Sequence, residues 1–239
     1  MTIKRALLIY GVVFLLALPL TFPVRLLGGF ITLPEGVSRS ALSGSLWAVH
    51  LDWVQLGALR LRDVKVSPSL TGLFGGTPLA ISLQEPAVLS VKVGQSEGGA
   101  VLRNLKAGAE FDALRELLDI PPLGVNTVIA LSVDEAIVQN NSCASAQGTV
   151  LLDQFEGNIE GLSQLREISG TLSCEGGRFV LQVNPDNALR LSGKVTFTAN
   201  GHYQGNLQAE PPPGPLFETF VDFLGQPRNG RRFQLNFRS

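Results

Sequence analysis

From Asn126 onwards the sequence reads as one extended segment after another, joined by connections of only a few residues. That spacing constrains the fold more than any other feature. Parallel strands need a crossover of a dozen or more residues, so segments this close in sequence run antiparallel. The segments are Asn126–Val133, Ala136–Asn140, Ala144–Asp153, Gly157–Leu165, Ile168–Cys174, Arg178–Val183, Ala188–Thr198 and Tyr203–Ala209. Turn residues such as Glu175-Gly176-Gly177 and Asn200-Gly201 separate them. Glycines recur inside the strands, at Gly148, Gly157, Gly161, Gly170, Gly193 and Gly205. Each weakens a flat sheet but permits bends or close packing, which favours a long, curved meander.

The first half carries the same grammar. Leu42–Trp53 puts a Ser-Gly turn ahead of a clean two-residue alternation, with Trp47, Val49, Leu51 and Trp53 on one face and Ala48, His50 and Asp52 on the other. Its signature returns at Ile168–Leu172 and Leu191–Val195. In Leu59–Val66 the apolar parity switches between Leu61 and Val64, which predicts a bulge near Arg62-Asp63. Leu79–Leu83, Ala87–Val93 and Ala100–Ala107 are further strands, the first two split by Glu85-Pro86. Two short helices interrupt the pattern. Glu110–Asp119 has Phe111, Leu114, Leu117 and Leu118 on one face and stops at Pro121-Pro122. Pro215–Leu224 follows Pro211-Pro212-Pro213 and ends at Gly225. Its Leu216, Phe217, Phe220, Val221, Phe223 and Leu224 need a cover, and plugging one end of the sheet is expected ahead of partner contact through Phe217, Phe220, Phe223 and Leu224. Phe233–Phe237 is the last strand.

The amino-terminal stretch differs in kind. Lys4 and Arg5 precede a run from Ala6 to Leu27 whose first charge is Arg25. Roughly 20 helical residues span a bilayer core, so a transmembrane helix is expected, with the basic end in the cytoplasm. A cleaved signal peptide shares the basic start and apolar core, but no small-x-small cleavage site follows the run. The expected layout is a cytoplasmic tip and anchor over 1–27, a Gly/Pro-containing linker over 28–40, and a periplasmic β-rich domain over 41–239. Cys143 and Cys174, the two cysteines, would then meet oxidising conditions and form a disulfide.

Several function classes are disfavoured. A formal net charge of -1 argues against nucleic acid, which calls for clustered Lys and Arg. Nucleophilic catalysis needs a base beside a Ser or Cys, and only His50 and His202 could supply an imidazole. Both read as structural or surface residues. Asp134-Glu135 are adjacent and would point to opposite faces of a strand. There is no phosphate-binding glycine loop and no metal-ligand spacing, so no enzyme, cofactor or metal is expected.

Three ordered landmarks remain: Ser43-Gly44-Ser45-Leu46-Trp47 after the apolar run, Cys143–Gly148 with Gly170–Cys174, and Phe223–Arg231 near the end. Together they resemble the type II secretion system protein N family, although Val49 stands where that family tends to have glycine. The resemblance implies a non-enzymatic accessory component of the type II secretion machinery, which exports folded proteins from the periplasm. Its partners would be the inner membrane and other secretion components. It also implies kinship with AsmA-like proteins, whose curved sheets form apolar grooves. The alternative is accordingly a periplasmic lipid- or acyl-binding module, with Trp47 and Trp53 as groove or core residues. No catalytic residues are carried over.

Overall fold

The computed structural model describes residues 10–11, 24–27, 37–56, 59–69, 72, 74, 76–113, 124–158, 160–162, 165–198, 202–227 and 230–238. They form one 14-stranded sheet in which every pairing is antiparallel. The strands are β1 (Val37–Arg39), β2 (Ser43–Ser45), β3 (Ala48–Leu56), β4 (Leu59–Pro68), β5 (Leu79–Leu83), β6 (Val88–Ser96) and β7 (Gly99–Glu110). They continue as β8 (Val125–Gln139), β9 (Ser142–Gly157), β10 (Ile168–Glu175), β11 (Arg178–Val183), β12 (Ser192–Phe197), β13 (Tyr203–Ala209) and β14 (Phe233–Arg238). From β3 to β14 the order in the sheet is the order in the chain. A 3₁₀ turn lies at Val24–Leu27, and helix α1 spans Pro215–Leu224.

Strict register sorts the side chains into ladders. One runs Leu83, Leu89, Ala107, Leu131, Val150, Gly170, Val183, Gly193, Leu207, Leu235, each residue directly opposite the next. The ladder beside it runs Ser82, Ser90, Lys106, Ser132, Thr149, Thr171, Gln182, Lys194, Asn206, Asn236. Successive side chains on a strand point to opposite faces, so one face is apolar from β5 to β14 and the other polar. The apolar face is covered at its two ends. Val24 and Leu42 pack with Leu51, Val64 and Leu83 at one; Leu216 of α1 packs with Ile168, Val183 and Leu189 at the other. Between them a third cluster buries Val133, Ala136 and Leu172, while Leu105, Leu131, Val150 and Leu181 are half-buried.

The strands expected from alternation are present, with five differences. The sheet begins at β1, inside the expected linker, because Val37–Arg39 pairs with Val54–Leu56. Asn126–Val133 and Ala136–Asn140 are one strand, β8, in which the charged Asp134-Glu135 step is absorbed by a register shift between Val133 and Glu135. Of Gly157–Leu165, Gly157 ends β9 and the other described residues are not in a strand: Gly161 takes φ 86° and Leu162 is buried. Ala188–Leu191 is a loop closed by the Asn187 side chain, whose Oδ1 accepts from the N–H groups of Leu189 and Leu191. The expected bulge at Arg62-Asp63 is no insertion, since Leu51 stays opposite Val64 and Trp53 opposite Arg62. Asp63 adopts φ 53° there, and the buried face passes to Val54 and Leu61 on both strands together.

Of the helix expected over Glu110–Asp119, Glu110 ends β7 and Phe111–Ala113 are helical; the rest lies outside the described residues. The expected transmembrane segment also lies almost wholly outside them. Among the described residues no helix is long and apolar enough to cross a membrane.

Candidate functional site

The carboxyl-terminal end of the sheet is where the expected contact residues gather. Helix α1 starts where Pro215, with its φ already near the helical value, follows Gly214, and Glu218 in the first turn suits the helix dipole. It stops at Gly225, whose φ of 80° disfavours a side chain and whose N–H donates to Val221 O at 2.8 Å. Leu216, Phe217, Phe220, Phe223 and Leu224 fall on one side of the helix, with Glu218 and Asp222 opposite.

That apolar side meets the sheet along part of its length. Leu216 is buried, and the rings of Phe217 and Phe220 lie 5.5 and 5.4 Å from that of Phe233 at the start of β14. Phe223 and Leu224 are 66% and 46% exposed. The helix therefore plugs the end of the sheet with Leu216, Phe217 and Phe220 and presents Phe223 and Leu224 outward. Phe233 as the platform was not singled out in the sequence, although its alternation with Leu235 and Phe237 marks an apolar row.

β14 is the last strand of the sheet and pairs only with β13 among the described residues. A hollow of about 460 Å³ beside it is lined by Leu224, Gln226, Pro227, Arg232, Phe233, Gln234 and Asn236. Arg232 is held by Glu210, Nη2 to Oε1 at 3.0 Å, and Arg190 approaches the same carboxylate at 3.8 Å. Arg231 and Arg238 are exposed and have no carboxylate partner among the described residues.

The other expected residues are placed elsewhere. Cys143 and Cys174 form a disulfide joining β9 to β10, with Cα atoms 5.7 Å apart. Trp47 sits in the β2–β3 turn, not on a strand face, and is 39% exposed. Trp53 lies outside the three buried clusters, with the Arg60 guanidinium 5.1 Å from its ring centroid. Neither tryptophan therefore joins the buried side of the sheet. His50 lies between two carboxylates, 3.6 Å from Asp52 and 3.4 Å from Asp63, and far in the fold from Cys143, Cys174 and α1. Glu135 receives Arg103 Nε at 2.7 Å, while Asp134 is exposed on the same strand. No group of His, Cys, Asp and Glu among the described residues could hold a metal ion.

The arrangement combines an edge strand, exposed apolar side chains at the end of α1 and two guanidinium groups without a carboxylate partner among the described residues. The sequence model of the family described as type II secretion system (T2SS), protein N, matches residues 35–236. The chain belongs to that family. The match reaches from just before β1 into β14, so the whole sheet is the T2SS protein N unit. No curated protein and no solved structure is a significant match.

Proposed function

We infer that this T2SS protein N family member is a non-enzymatic accessory component of the type II secretion system. In this reading the amino-terminal segment anchors it in the bacterial inner membrane and the sheet stands in the periplasm, where it assists export of folded proteins. The family match across nearly the whole sheet carries the reading. Deleting the gene in its host and measuring a folded exported protein in culture medium and periplasm tests it. Loss from the medium with accumulation in the periplasm is expected; unchanged export would overturn the reading. Fractionation should recover the full chain with the inner membrane.

One observation favours a second reading. Beside the buried Val133, Ala136 and Leu172, the apolar ladder leaves Leu89, Ala107, Leu131 and Val150 half-buried between its covered ends, a lining an acyl chain could use if the sheet curves into a trough. Native mass spectrometry of detergent-purified protein should then show co-purifying lipid, and a clean apo mass would count against it.

A further inference from the structure

The overhang of α1 has a length that can be compared with the sheet beneath it. Phe220 rests on Phe233, and Phe223 and Leu224 follow three and four residues later on the same side of the helix. At 1.5 Å per residue that advance is about 4.5–6 Å. Neighbouring strands lie roughly 4.8 Å apart. The exposed Phe223 and Leu224 thus lie about one strand spacing further along the helix than Phe220, and Leu224 lines the hollow together with Phe233, Gln234 and Asn236 of β14.

We propose that β14 accepts an extended segment of another protein as an added strand, roofed by Phe223 and Leu224. The segment alternates apolar side chains, which meet the overhang, with acidic ones, which meet Arg231 and Arg238. This deepens the assembly role inferred above by naming the surface and the chemistry of its partner. Three observations carry it. Phe233–Arg238 contains no proline and no acidic residue, and no register shift interrupts its pairing with β13, so the devices that usually blunt an open edge are missing, its charges aside. The hollow offers Gln226, Gln234 and Asn236 amides beside the strand's own backbone groups. The guanidinium groups of Arg231 and Arg238 flank the strand at both ends.

A second copy of this chain does not suit the edge. Antiparallel self-pairing of β14 about Leu235 would set Arg232 of each copy against Arg238 of the other. Main-chain pairing supplies affinity in such additions, and the alternate side chains supply selectivity.

The test uses the full chain in detergent and a fluorescent eight-residue peptide alternating valine and glutamate. A valine–lysine peptide and a proline-interrupted valine–glutamate peptide serve as controls. The first peptide should bind at least about tenfold more tightly than either control. The Phe223→Ser/Leu224→Ser variant should lose about tenfold in affinity with an unchanged melting temperature. Arg238→Glu should reverse the preference between the charged peptides. Hydrogen exchange should slow in β14 on binding, the mark of a new ladder. Equal binding of all three peptides, binding without protection of β14, or a dimer that Phe223→Ser/Leu224→Ser disperses would each overturn the proposal. None of these readouts involves export, so a failed edge with intact export dependence would leave the assembly role standing.

Discussion

Gly205 stands directly opposite Phe237, and the ring lies where a Cβ on Gly205 would be. The glycine is thus a seat for an aromatic side chain at the edge of the sheet, a way of covering backbone that a strand glycine would otherwise leave bare. Tyr203 flanks the same ring at 6.2 Å between centroids. Gly205→Ala should displace Phe237 and lower stability by about 1–3 kcal/mol, the usual range for overpacking. Chemical denaturation of the variant checks the size. The same substitution in a Phe237→Ala background should cost much less, because the clash and its partner vanish together. Gly170 is similarly hemmed in: a Cβ there would come within 2.9 Å of Leu181 Cδ1. Reading the sequence showed that these glycines matter. Which side chains lie over them depends on register, and register is a property of strand pairs.

Among the elements, β9 and β10 are tied twice, by their ladder and by the Cys143–Cys174 disulfide. The bridged residues are 31 apart in sequence. For a closed loop of that size the chain-entropy model gives about 3–4 kcal/mol of stabilisation. Replacing both cysteines by serine should reduce the denaturation free energy by about that amount, and reductant should leave the double variant unaffected. Most strands could be read from two-residue alternation and the turn residues between them. The misreadings share one cause: local composition imitated or interrupted an element that a longer-range contact decides. Asp134-Glu135 looked like a break, yet pairing of β8 with both neighbours carries the chain through. Gly157–Leu165 looked extended, yet Gly161 turns beneath Leu216 of α1. The edge proposed to bind was legible only as an apolar helix followed by a strand. That the strand is last in the sheet follows from the whole pairing order.

Across the molecule, each strand from β4 to β13 is paired with the one before and the one after it. Stability in such a linear array comes from nearest-neighbour interfaces, as in repeat proteins, and opening starts at the ends. Backbone hydrogen exchange should therefore be slowest in β8, β9 and β10, where the ladders are longest and the disulfide lies, and faster in β1 and β14. A uniform exchange rate along the sheet would contradict this view. The ion pairs of the polar face, such as Arg103–Glu135 and Lys194–Glu175, are partly exposed and add at most about 1 kcal/mol each. The linear order also bears on how the chain is made. Every strand from β3 onwards finds a partner among residues synthesised earlier, whereas β1, β2 and α1 each rest on a strand that follows them. A chain threaded through a membrane from its amino-terminal end could thus fold as it emerges, each strand from β4 to β14 zipping onto an edge already made.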